Sequence, residues 1–175
     1  MTYNFQMKDI PLMHKICHTC KEDFTSHSFN LITNTLEGGP VFYTKISNAS
    51  KYDDTEGIVK HCTSYLNHVN PTEKWCWIID FEDFGIKHTL GINTGIQLSK
   101  LINKIGKLKY LFIININGFV EQMLKMIKIT LNKEYHKCII ILNKNHILKQ
   151  DVIENWTILD NNKCIIQSIF NSDIK

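Results

Sequence analysis

Three short, nearly continuous apolar runs, spaced by segments long enough for a helix, constrain this chain more than any other feature. They are Trp75-Cys-Trp-Ile-Ile-Asp80, Tyr110-Leu-Phe-Ile-Ile-Asn-Ile116 and Lys137-Cys-Ile-Ile-Ile-Leu142. A continuous run, rather than an alternating one, is what a strand covered on both faces requires. Strand, helix-length spacer and strand, repeated, mark βαβ units and a parallel sheet. The expected fold class is α/β, a mostly parallel sheet covered by helices.

The remaining chain fits around that frame. Residues 1–36 mix polar and apolar side chains and are expected to hold one or two short helices, with 37–175 as the main domain. Gly38-Gly39-Pro40 reads as a turn into a strand over Val41–Ile46. Ile58, Val59, Cys62, Tyr65, Leu66 and Val69 recur at three- and four-residue steps, which predicts a helix ended by Asn70-Pro71. Gly57 weakens the capping box that Asp54 would otherwise begin, and Gly91 and Gly95 loosen the segment before Ile96–Ile105. The segment from Phe119 to Leu131 predicts a helix with an unusually broad apolar face, interrupted by Lys125 and Lys128. Beyond residue 142, a short helix and edge strand over 147–158 and a strand over 164–170 are expected.

At 175 residues, the chain suits one domain, and a hydrophobic content of 43% is enough for a real core. The net charge is +3, and every one of the 20 basic residues is lysine. Absence of arginine removes the side chain best suited to bidentate contacts with phosphates and guanines, which argues against nucleic-acid binding. A weak positive balance is compatible with an anionic membrane surface. The amino terminus lacks the order of a signal peptide, and no apolar run approaches the roughly 18–20 residues that span a bilayer. The expectation is a cytoplasmic protein with reduced thiols.

Two constellations invite chemistry. Cys17 and Cys20 form a Cys-x-x-Cys pair with His14 and His18 close by. A structural zinc site needs a second close pair, which the sequence does not display, so packing or surface thiols are preferred and no metal is expected. At the end of the first apolar run, Asp80 lies where parallel sheets place ligand-facing groups, with Asp83 and His88 nearby as a conceivable acid/base cluster. The plainer reading of Asp80 is a cap on the following turn. Along the helix at 58–69, His61 and His68 stand two turns apart, the spacing of a surface coincidence. Glycine-rich phosphate loops and the nucleophile elbow are absent. No enzyme is expected.

Taken together, the order of pieces resembles the CRAL-TRIO, or Sec14-like, lipid-binding family. The carriers of the resemblance are Gly38-Gly39-Pro40-Val41, Trp77-Ile-Ile-Asp80-Phe-Glu-Asp-Phe84, Ile113-Ile-Asn115, and Met126-Ile-Lys128 with Leu131 followed by Lys137-Cys-Ile-Ile. They cover about Leu36 to Leu142. Departures are a shortened amino-terminal part, no proline at Asn117 or Ile129, and Gly106 in place of the family's glutamate partner to Lys137. The resemblance implies an apolar pocket floored by the sheet and closed by a mobile gating helix with Phe119, Val120, Met123 and Met126. It implies lipid contacts at Trp77, Leu111, Ile113, Leu124, Ile127, Cys138 and Ile140, and a phosphate held by Lys137. The implied ligand is a phospholipid, a phosphoinositide among the candidates, or another hydrophobic molecule, transferred or presented at a transiently bound membrane. The alternative is a protein-interaction or membrane-docking module whose pocket is filled by Trp75, Trp77, Phe112 and Phe119.

Overall fold

The apolar runs form the strands expected of them. The computed structural model describes residues 17–23, 26–34, 38–69, 71–85, 88 and 91–142; the readings at His14, over 147–158 and over 164–170 lie outside them. A five-stranded sheet runs in the order β1-β2-β3-β4-β5, with β1 at Asn30–Asn34, β2 at Pro40–Lys45, β3 at Trp75–Asp80, β4 at Leu108–Ile114 and β5 at Ile139–Leu142. β1 pairs antiparallel to β2, and all later pairs are parallel. The helices are α1 (His18–Glu22), α2 (Thr55–Val69), α3 (Gly91–Ile105), α4 (Gly118–Thr130) and α5 (Lys133–His136), with a 3₁₀ turn at Ile46–Asn48.

β1 departs from the helical expectation for residues 1–36. Its pairing with β2 puts residues on both sides of that boundary into one sheet. Just before β2, Gly38 stands at φ +85, a conformation that glycine adopts without steric cost.

Register fixes which residues share a face. Phe42 pairs with Trp77, Trp77 with Leu111, and Leu111 with Ile139; Ile79 pairs with Ile113 and Ile113 with Ile141. These residues lie on one side of the sheet because side chains alternate along a strand. Val41, Cys76, Ile78, Phe112 and Ile114 alternate to the other side and are also buried. Burial on both faces explains why the runs are continuous. On the first side, Phe42, Trp75, Trp77, Leu111 and Ile113 join Cys62, Tyr65 and Leu66 of α2, Leu101 and Ile102 of α3, and Val120 and Met123 of α4 in one core.

Local chemistry sets the helix ends. Asp54 Oδ1 accepts the Gly57 N–H at 2.9 Å, so the residue that spoils the capping-box pattern is itself the capped position. α3 begins at Gly91 and continues through Gly95 rather than loosening there. A Cβ on Gly95 would stand 3.1 Å from Ile127 Cγ1 of α4, so the glycine permits a close helix–helix approach. Gly106, at φ +72, ends α3 by returning its N–H to the Ile102 carbonyl at 2.9 Å. Asn117 caps α4: its side chain accepts from the Val120 N–H at 3.0 Å and donates to the Phe84 carbonyl at 3.1 Å. Asn117→Ala is expected to cost about 1 kcal/mol, measured by urea denaturation. An unchanged midpoint would show that packing alone sets the start of α4.

Candidate functional site

Between the sheet and its helices lies a mostly apolar cavity of about 610 Å³. Its floor is Trp77, Ile79, Leu111, Ile113, Ile139 and Ile141; α3 contributes Gly95, Leu98 and Ile102, and α4 contributes Met123, Leu124 and Ile127. The size falls in the roughly 300–1,000 Å³ range of small-molecule sites. Polar groups on the wall are mostly paired: Thr44 Oγ1 accepts from Trp77 Nε1 at 2.9 Å, the Thr94 and Thr55 hydroxyls meet at 2.7 Å, and Ser99 bonds Thr130. Glu121, Lys125 and Lys128 border the cavity from an exposed edge of α4.

Five of the expected lipid contacts, Trp77, Leu111, Ile113, Leu124 and Ile127, border this space. Ile140 does not, because the register puts Ile139 and Ile141 on the floor; a shift of one residue reverses the face. Cys138 precedes the strand, with its Sγ 3.7 Å from the Leu108 carbonyl. Lys137 is exposed at the end of α5, off the cavity wall. On α4, Met123 lines the cavity and Val120 is fully buried beside it. Phe119 and Met126 point outward with Ile129, which is 82% exposed. α4 is thus apolar on its inner side and on part of its outer side. Of the four bulky residues that would fill the pocket, Trp77 alone borders it, and open space remains beside its ring.

At the carboxyl ends of β3 and β4, Asp80 is buried in a network of its own. It accepts from the Tyr43 hydroxyl at 2.8 Å, from Asn115 Nδ2 at 2.9 Å and from the Glu82 backbone N–H at 2.8 Å. The last bond is the turn cap expected of it. Burial, then the Asp80 charge, pushes the Tyr43 hydroxyl far above its ordinary range. His88 packs between Tyr52 and Phe84 and accepts the Gly85 N–H at its Nδ1, 3.0 Å away. Asp80 and His88 therefore have structural partners, and Asp83, the third residue of the conceivable acid/base cluster, is exposed with its Oδ2 3.9 Å from Lys45 Nζ.

The fold also assembles a group whose members are distant in sequence. Cys17, Cys20, His27 and His61 bring their sulfur and nitrogen atoms within 4.8 Å of one another. The histidines that reach the thiols are not the sequence neighbour His18, which is exposed, but His27 before β1 and His61 in the middle of α2. His61 is 1% exposed, far from a surface coincidence. It shares the buried face of α2 with Ile58, Cys62 and Tyr65, and that three- and four-residue pattern was the available signal. Burial pushes the His61 imidazole down to about 4, so it is neutral near pH 7, and pushes the Cys20 thiol up to about 12.

Comparison with known proteins follows the same architecture. A family model described as the CRAL/TRIO domain matches residues 26–156, which includes β1 and the segment that carries His27. The crystal structure of Sfh5 is similar in fold, with a TM-score of 0.57 and 9% sequence identity. The likeness covers 86% of this chain and 66% of that one, so this chain spans just under two thirds of its length. No curated protein matches. Among the described residues, no helix is long and apolar enough to cross a membrane.

Proposed function

This chain belongs to the CRAL/TRIO (Sec14-like) family of lipid-binding domains, and on that premise we propose that it takes a lipid into the cavity and carries or presents it at a membrane surface. The observation that carries the reading is the apolar cavity of about 610 Å³ between the sheet and α4. Each methylene moved from water into such a space contributes about 0.8 kcal/mol, so a modest chain length gives useful affinity. α4 is the gate in this reading. Its outward Phe119, Met126 and Ile129 favour a bilayer when the helix swings, and the bilayer then covers apolar surface that opening exposes.

The anionic head group is assigned to Lys125 and Lys128, which stand nearly one turn apart on the edge of α4 that borders the cavity. Lys137, the position suggested by family resemblance, is off that wall. A lysine near an anionic surface contributes about 1 kcal/mol. Lys125→Ala/Lys128→Ala is therefore expected to weaken binding to vesicles containing phosphatidylserine by roughly thirtyfold at physiological salt. Vesicle co-sedimentation measures this, and an unchanged affinity would move the head-group site elsewhere.

Uptake itself is read by energy transfer from the tryptophans, Trp77 of the cavity floor among them, to a polyene fatty-acid probe, with competition by unlabelled phospholipids. Saturable transfer that a phospholipid abolishes is the expected result. No transfer, together with no release of labelled phospholipid from vesicles, would reject carriage and leave a protein-docking module as the better reading.

A further inference from the structure

We propose that Cys17, Cys20, His27 and His61 form a zinc site that fastens the amino-terminal segment to α2 at one end of the cavity. Three sulfur–nitrogen separations are fixed: Cys17 Sγ to His27 Nδ1 at 3.5 Å, Cys20 Sγ to His27 Nδ1 at 3.4 Å, and Cys20 Sγ to His61 Nδ1 at 3.4 Å. A tetrahedral zinc ion, with bonds of about 2.3 Å to sulfur and about 2.0–2.1 Å to nitrogen, separates such ligands by about 3.5 Å. All four donors lie within 4.8 Å of one another, so closing the remaining pairs to tetrahedral spacing takes side-chain shifts of about 1 Å.

The outer ring nitrogens support the same assignment. His61 Nε2 lies 3.2 Å from the Phe29 carbonyl oxygen, which can only accept, so that nitrogen carries the proton. His27 Nε2 lies 3.3 Å from Asp54 Oδ2, again an acceptor. In the neutral ring, a proton on Nε2 leaves Nδ1 with a bare lone pair toward the thiols. This is how zinc-binding histidines are held, with the far N–H given to a carboxylate or a carbonyl. Thiol hydrogen bonding alone accounts for the cluster less well, since three close approaches share two S–H protons.

Charge balances. On binding, the two thiols release two protons to solvent, and the two thiolates neutralise the dication in a place where Cys20, His27 and His61 are buried. Two soft sulfurs and two imidazoles select zinc over magnesium or calcium. The site joins α1, the segment before β1, and α2. Its His27 and the neighbouring Phe29, Ile58 and Cys62 border the cavity, so the ion would stiffen that wall. The inference stands independently of lipid binding.

The test is elemental analysis and cobalt substitution of the full chain, purified in reducing buffer with zinc present. The expected results are one zinc per chain after gel filtration, and a visible tetrahedral spectrum with thiolate charge-transfer bands for cobalt. Chelation should lower the melting temperature by at least about 10 °C. Cys17→Ser, at a half-buried position, should keep the fold but lose a thiolate band and at least tenfold in zinc affinity. Cys138→Ser, remote from the cluster, should change neither. A chain that takes up no zinc or cobalt, one with a Cys17–Cys20 disulfide in place of metal, or a Cys17→Ser variant with the parent's affinity would overturn the assignment.

Discussion

The double variant Ile113→Trp/Leu98→Trp is expected to lose lipid binding by more than a hundredfold while remaining folded. Ile113 lies in the cavity floor on β4, and Leu98 faces the space from α3. An indole from each wall would occupy volume that a bound chain needs. Displacing about four methylenes at roughly 0.8 kcal/mol each removes about 3 kcal/mol of binding. The same space makes the substitutions tolerable, because overpacking is costly only where no void exists. Tryptophan also suits a strand. Titration with the polyene probe measures binding, and urea denaturation measures stability. Retained affinity in a folded variant would place the ligand elsewhere.

Trp75→Ala should be the most damaging single substitution in the sheet, at about 3–5 kcal/mol. Its side chain is 1% exposed, with ring centroids 6.0 Å from Phe42 and 6.2 Å from Trp77. Nε1 donates to the Gly106 carbonyl at 2.8 Å, so truncation also removes the partner of a carbonyl at the end of α3. A cost of that size consumes a large part of the 5–15 kcal/mol typical of a domain. Trp75→Phe should cost clearly less, since it keeps most of the apolar contact. A loss below 1 kcal/mol in Trp75→Ala would contradict the place given to this residue in the core.

The sheet was legible because burial on both faces leaves a local mark. The runs at 75–80, 110–116 and 137–142 are continuous for that reason, and the observed strands fall on them within two residues. β1 was missed because Asn30-Leu-Ile-Thr-Asn34 is short and has asparagine at both ends, so its strand character comes from the long-range pairing with β2. Face assignment at β5 failed for a similar reason. An all-apolar run carries no parity, so only its register with β4 decides that Ile139 and Ile141, and not Ile140, face the cavity. Helix α3 was legible downstream of Gly95, but the role of Gly95 depends on the approach of Ile127, which no local pattern records.

The Cys/His cluster shows the same division between local and non-local information. Cys17 and Cys20 are adjacent enough to be seen, whereas His61 lies 41 residues beyond Cys20 and meets it only through folding. Its place on the apolar stripe of α2 was nevertheless readable, since a histidine in step with Ile58, Cys62 and Tyr65 must be buried and must find partners. Lys137 shows what resemblance alone does not carry. Family resemblance implies a place at the ligand, whereas Lys137 is exposed at the end of the short helix α5, and Lys125 and Lys128 border the cavity.

Native mass spectrometry of the freshly purified chain, followed by solvent extraction and identification of any lipid, tests the central claim most directly. One lipid per chain with an anionic head group is expected, retained in the parent and absent from Ile113→Trp/Leu98→Trp. A parent protein that carries no lipid, and still carries none after incubation with phospholipid vesicles, would contradict it.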